Sequence, residues 1–197
     1  MISIRSALVA VSTLGVASSV PGPLAAPRAQ ALRGADCASP TVREQAYHPS
    51  YELPQGRQVV VAYIGASTCG PCRTKQLKAA IQQMKPMLAC QAKATGRTLA
   101  VMGVSLDWQV DTAISYLAGT APYDEIIAGN NWVNSAALAF IWQAPDVVPS
   151  IPQVVLLERE FDPEATTITL RHQRELGRFT NAAAIEQWVA KGALIPQ

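Results

Sequence analysis

Charge is scarce in this chain. Asp, Glu, Lys and Arg make up only 15% of its 197 residues, against 49% hydrophobic. A chain so poor in charge and rich in apolar side chains is not a disordered or highly solvated one. It has no Lys/Arg-rich run, so the basic footprint of a nucleic-acid binder is missing. Histidine is limited to His48 and His172, both read as surface residues, and cysteine to four positions. Apart from Cys69 and Cys72, the remaining Cys37, Cys90 and the two histidines form no second closely spaced pair, which argues against a four-ligand zinc site. Ser150 has no Asp/His pattern around it, so a hydrolase triad is unsupported. Internal repeats and low-complexity segments are absent, and the length suits one domain with a substantial core.

The longest apolar stretch, Ala7 to Val20, is shorter than the roughly 20 residues of a comfortable membrane span. Arg5 precedes it, Pro21-Gly22-Pro23 ends it, and Ala29-Gln30-Ala31 offers a small-x-small cleavage site, the pattern of a secretory signal peptide. Residues 1–31 are therefore read as a signal peptide, with membrane attachment only if that segment stays uncleaved. Cleavage removes Arg5 and Arg28 and no acidic residue, leaving fourteen basic and fourteen acidic side chains. The overall +2 therefore carries no message about partners. Residues 32–57, with Pro40, Pro49, Pro54 and Gly56, are read as an N-terminal arm, and 58–197 as the folded domain.

Within that domain Val59 to Ile64 is an unbroken apolar run, the signature of a central strand covered on both faces. The spacing then predicts a helix from about Cys69 to Lys93, stopping by Gly96, with Leu77, Ala80, Ile81, Met84 and Leu88 as its buried stripe and Lys75, Lys78 and Lys85 off it. Thr98 to Leu106 reads as a strand ended by Asp107, which is expected to cap the next turn or helix. Val110 to Leu117 suits a helix closed by Gly119, Tyr123 to Ile127 a short strand or turn, and Ser135 to Trp142 a helix capped by Asn134 or Ser135. Val154 to Glu158 and Thr166 to Leu176 read as a hairpin ending at Gly177, and Asn181 as the cap of a last helix. Strands that first alternate with helices and then pair directly predict an α/β fold, a mixed sheet flanked by helices on both faces. Trp108, Trp132, Trp142 and Trp188 are taken as core or partly buried anchors.

Ser67-Thr68-Cys69-Gly70-Pro71-Cys72 follows the apolar strand directly. Two thiols are thus delivered to a helix start, where unpaired N–H groups and the macrodipole favour negative charge. A thiol there loses its proton more readily than a free one, and the thiolate is the nucleophile. Cys69 is the candidate attacking sulfur and Cys72, one turn deeper, the resolving one. Pro71 fits the first helical turn and adds no charge. The pair is therefore expected to behave more like thioredoxin, at about −270 mV, than like the strong oxidase at about −120 mV.

The strand Val59–Ile64, the Cys69-Gly70-Pro71-Cys72 motif with its helix, Ile151-Pro152 before a later strand, and the terminal strand-Gly-helix unit together resemble the thioredoxin superfamily. The segment Val101 to Asp107 followed by a helical insertion looks like its periplasmic branch, related to cytochrome c maturation proteins and peroxiredoxins. The resemblance covers about residues 56–192 and implies a thioredoxin-like sheet with that insertion before the cis-Pro strand. It implies a cis bond at Pro152 facing the cysteines. Thr68, Gly70, Pro71, Ile151 and Pro152 would form the substrate-binding rim. Thr68 stands where the family usually has Trp, and Tyr63 where it carries a buried carboxylate that assists proton transfer from the second cysteine.

The expected function is that of an exported, periplasmic thiol–disulfide oxidoreductase that reduces or isomerises protein disulfides through Cys69 and Cys72, without cofactor or metal. Its expected partners are disulfide-containing client proteins and a membrane electron donor that re-reduces it. A disulfide-introducing oxidase or peroxide-reducing enzyme of the same fold, or a non-enzymatic binding or assembly module, is the alternative. Cys90 lies roughly 27 Å along the helix from Cys72, too far to exchange with it. The even cysteine count of an exported chain suggests a structural Cys37–Cys90 bridge. Its closed loop would contribute about 4 kcal/mol. Two free thiols or an intermolecular bond remain open.

Overall fold

A computed structural model describes residues 56–144, 148–162 and 168–196. The chain divides into two units, Met1–His48 and Pro49–Gln197, and every described residue belongs to the second. The expected signal peptide, Cys37 and nearly all of the arm lie outside the described residues.

Strand β1, Gly56–Gly65, begins with the last two residues assigned to the arm, and Gln58 to Ile64 are buried without a break. Its neighbours explain this. β2, Thr98–Ser105, pairs with it in parallel and β4, Gln153–Phe161, antiparallel on its other edge. A three-residue β3, Glu125–Ile127, extends the parallel side, and β5, Leu170–Thr180, forms the antiparallel hairpin with β4. The sheet order is β3-β2-β1-β4-β5. Alternation along β1 feeds two cores. Val61 and Tyr63 pack with α1, Lys75–Ala94, with α2, Val110–Ala118, and with α4, Ala182–Ala190. Val60, Ala62 and Ile64 pack on the opposite face with α3, Ser135–Ala137, and the π-turn Leu138–Trp142 that continues it.

All five expected stripe residues of α1 are buried, with Ala92 in addition, and the helix runs through Pro86 to end at Ala94 with Thr95 as its C-cap, after which Gly96 takes φ +66°. Its beginning differs from the expectation. Pro71–Arg73 is a separate 3₁₀ turn, and Thr74 is extended, at φ −63° and ψ 145°. The Thr74 hydroxyl accepts the Leu77 N–H at 3.2 Å, so it caps a helix that starts only at Lys75. Asn134 caps α3 through the Ala137 N–H at 2.8 Å, and Asn181 caps α4 through the Ala184 N–H at 2.9 Å.

β5 also departs from the expected span. It continues past Gly177 to Thr180, because Gly177 pairs with Leu156 beside a bulge and makes room for the C-terminal segment. A Cβ on Gly177 would lie 2.9 Å from Pro196 Cγ. Residues 163–167, where the strand was expected to begin, lie outside the described residues. Of the tryptophans, Trp188 is buried and stacks on Phe179 with ring centroids 4.3 Å apart, and Trp132 packs edge-on against Trp142. Trp108 is 71% exposed and Trp142 52%, so neither is the anchor expected of it. No helix among the described residues is long and apolar enough to cross a membrane.

Candidate redox site

The carboxyl ends of β1 and β2 lie side by side, Gly65 opposite Ser105, and the cysteine loop leaves from that edge. Cys69 and Cys72 are joined as a disulfide with Cα atoms 5.2 Å apart. Cys69 is half-buried and Cys72 fully buried, so a partner from solution meets the first sulfur and not the second. The Cys72 N–H donates to Cys69 Sγ at 3.2 Å. This one amide replaces the full helix start expected from sequence, since α1 begins beyond the extended Thr74. Thr68, Gly70 and Pro71 are exposed around the pair.

From eighty-two residues further on, the Ile151 carbonyl oxygen comes within 3.8 Å of Cys69 Sγ, and the Ile151–Pro152 peptide is cis. The loop is pinned from behind by a residue that sequence reasoning missed. Gln153 is fully buried, its amide donating to the Ser150 carbonyl at 2.7 Å and its side-chain oxygen accepting from Arg178 at 2.6 Å. The Asn181 N–H closes the other side by donating to the Pro152 carbonyl at 2.9 Å. A glutamine between Pro152 and the apolar run Val154 to Leu157 is the sequence signal that could have found it. A second cis peptide, Ala121–Pro122, lies away from the pair and had no motif to announce it.

Asp107 does not cap α2, whose N-cap position is Gln109 without a side-chain bond. It is buried and turns back instead. Oδ1 accepts the Ser67 hydroxyl at 2.7 Å, both oxygens lie within 3.2 Å of the Ser67 N–H, and Oδ2 accepts the Ser105 hydroxyl at 2.6 Å. The carboxylate thus clasps the loop entering Thr68-Cys69 to the end of β2. Below it Tyr63, fully buried, shares a 2.6 Å hydrogen bond with Tyr116. Burial, reinforced by the neighbouring phenol, drives the Tyr63 pKa far above the ordinary phenol value, and burial likewise raises that of Tyr116. The position where the resemblance would place a carboxylate therefore holds a protonated hydroxyl, not a base.

Cys90 is exposed on α1 and is bonded to no cysteine among the described residues; its expected partner Cys37 lies outside them. Among the described residues no three His, Cys, Asp or Glu side chains gather as a metal site.

No protein-family model matches the chain, and no curated protein matches it. Several solved structures do. A thiol:disulfide interchange protein DsbE from Chlorobium tepidum is 22% identical, over 68% of this chain and 79% of that one, with a TM-score of 0.37. A secreted disulfide oxidoreductase from Mycobacterium tuberculosis, homologous to E. coli DsbE, is 15% identical over 70% and 83%, with a TM-score of 0.32. StoA from Bacillus subtilis is 13% identical over 68% and 84%, with a TM-score of 0.30. With its mixed sheet, its Cys-Gly-Pro-Cys loop at the end of β1 and the cis-proline loop facing that pair, this chain has the thioredoxin-like α/β fold.

Proposed function

We propose that this protein is an exported thiol–disulfide oxidoreductase that reduces or isomerises disulfides in client proteins through Cys69 and Cys72. One observation carries the reading. An accessible sulfur sits against the carbonyl that precedes a cis-proline, with its partner sulfur wholly buried one turn away. In the dithiol state the Cys69 thiolate attacks one sulfur of a client disulfide, and the other client sulfur leaves as a thiolate that takes up a proton. Cys72, deprotonated, then attacks Cys69 Sγ and releases the second client sulfur. Two electrons pass to the client and the chain is left as the disulfide seen here. The backbone beside Pro152 can hold an extended client strand while this happens, with Thr68, Gly70, Pro71 and Ile151 as the rim. The next cycle needs a dithiol donor, and in the periplasm, where the signal-like residues 1–31 would send the chain, that donor is a membrane protein, because the compartment is kept oxidising. A Cys37–Cys90 bridge belongs to the same proposal.

The test is trapping. Cys72→Ala in the exporting cell accumulates mixed disulfides through Cys69, whose partners name the clients. Absence of any such adduct, with the variant folded and exported, overturns the reading. A reduction potential above about −170 mV would move the function to disulfide introduction.

A further inference from the structure

Beside the cysteine loop lies an open cleft of about 340 Å³ between the start of α1 and the outer face of α2. Arg73, the residue after Cys72, and Lys78 stand on one wall, and Thr112 and Ser115 on the other, together with Tyr116, whose own hydroxyl is bonded to Tyr63. Ser67, two residues before Cys69, completes the rim. Neither Arg73 nor Lys78 makes an ion pair or a side-chain hydrogen bond among the described residues. Among the described residues no acidic side chain lines the cleft. Asp107 lies behind Ser67 with both oxygens already engaged, and Asp111 of α2 is exposed and not part of the lining. Two cations with no partner among the described residues, beside the Thr112 and Ser115 side chains, match an anion, and on an unmodified polypeptide that anion is a carboxylate.

Building on the proposed disulfide exchange, we infer that this cleft receives an acidic side chain of the client polypeptide and so selects disulfides flanked by Asp or Glu. Its position supports a role in orientation. The walls are continuous with the loop on both sides of the sulfur pair, so a carboxylate seated there belongs to the chain whose disulfide is under attack. Exposed charges hold little affinity alone. The cleft therefore steers and registers a client that the sulfur and the Pro152 backbone also hold.

The experiment compares reduction of a disulfide peptide carrying Glu beside its cysteine with that of its Gln counterpart. The expected kcat/KM ratio is about five- to tenfold in favour of Glu at low salt, shrinking as added salt screens the charges. Arg73→Gln with Lys78→Gln brings the ratio to about one, Arg73→Lys with Lys78→Arg keeps it, and Lys93→Gln, remote on the same helix, leaves it unchanged. A second readout needs no turnover. A cysteine-free Glu peptide added to the oxidised protein shifts the amide resonances of Thr112, Ser115 and Tyr116, and the double Gln variant abolishes those shifts. A ratio of one in the wild type, with exchange intact and no shifts in the cleft, overturns the inference while leaving the redox function standing. Cleft shifts without reduction of any peptide keep the carboxylate site and overturn the redox reading. An oxidised small-molecule thiol bearing carboxylates that matches the Glu peptide in rate would contradict a polypeptide client as the source of the acid.

Discussion

The two ends of the sheet treat charge in opposite ways. At the amino end of β1 and β2 one carboxylate is surrounded by guanidinium groups. Glu158 on β4 is buried and accepts from Arg57 at 2.6 Å, Arg97 at 3.1 Å and Arg174 at 2.9 Å. Burial pushes its pKa up, but the hydrogen bonds from Arg174, Arg57 and Arg97 outweigh that and hold it below the ordinary value. At the carboxyl end, six residues along β1, the exposed Arg73 and half-buried Lys78 have no acid to meet them among the described residues. At the closed end the one carboxylate is fully engaged and each of the three guanidinium groups has it as a partner, although the cluster as a whole stays positive. The open end leaves two cations without an acid among the described residues, beside an accessible sulfur and the Ile151 carbonyl, which is what the proposed transient binding requires.

The sharpest way to test that contrast is to delete the acid at the closed end. Glu158→Ala should cost about 3 kcal/mol, because three cations lose their counter-charge and one of them, Arg97, is well shielded from water. Chemical denaturation measures it. The folded pKa is lowered, so the cluster's contribution is present above the unfolded carboxylate's value of about 4.5 and is lost as pH falls through the folded one. The difference between wild type and variant should thus vanish in acid. Disulfide-exchange rates at neutral pH should not change. At the open end Arg73→Ala should do the reverse, moving stability by less than about 0.5 kcal/mol while altering exchange with acidic peptides. A large loss of stability from Arg73→Ala would end the comparison.

Next in size is the clasp that carries the open end. Asp107→Ala removes the acceptor for the Ser67 N–H and for two hydroxyls, and should cost about 2 kcal/mol. Unlike Glu158→Ala it should also slow exchange, because Ser67 opens the segment that leads to Cys69. A variant as unstable as this but with wild-type exchange would show that the clasp supports the sheet only.

That clasp also shows where the sequence stops being readable. The continuous burial of Val59 to Ile64, the stripe from Leu77 to Leu88 and the Cys69–Cys72 spacing are local patterns, and local patterns survive folding because hydrophobic period and helix geometry act over a few residues. Asp107 looked like a helix cap because capping is what an aspartate ahead of a helical run can do locally. Its true partner, Ser67, is forty residues away and becomes adjacent only through the Gly65–Ser105 register of two parallel strands. Gln153 and Arg178 meet for the same reason across the β4–β5 hairpin. Thr74 is different. A hydroxyl residue three places before Leu77 is a cap signal present in the sequence, outweighed in the reading by the apparent fit of Cys69 to a helix start.

A smaller effect is expected where the open end is most tightly packed. A Cβ on Gly65 would sit 2.2 Å from the Tyr116 hydroxyl and 3.0 Å from that of Tyr63. Gly65→Ala should therefore separate the two phenols and push Tyr116 into the cleft, at about 1 kcal/mol. Tyr116→Phe in the same chain removes the colliding oxygen, so the double variant should be more stable than the sum of the two singles predicts. Thermal melts of the four proteins decide this. Strict additivity would mean that Gly65 is required for some other contact.

The last contrast lies within α1, between Lys78 and Lys85, a lysine two turns beyond it. Lys85 Nζ donates to the carbonyls of Thr120 and, at 2.7 Å, Pro122, and lies 4.3 Å from the centre of the Tyr123 ring. Carbonyls and a ring face stabilise a cation less than water and a free carboxylate do. Burial accordingly lowers its pKa from 10.5 to about 8, with nearby Asp124 opposing the shift. Between those values the unfolded chain binds more protons than the folded one, so stability should rise with pH from about 8 to about 10.5. Lys85→Met should flatten that rise. Lys78→Met should leave it in place, because Lys78 borders the open cleft and has no carbonyl cage. If both substitutions flatten the curve alike, the two lysines share one environment, and the division of this molecule into a self-satisfied part and an unsatisfied one does not extend along α1.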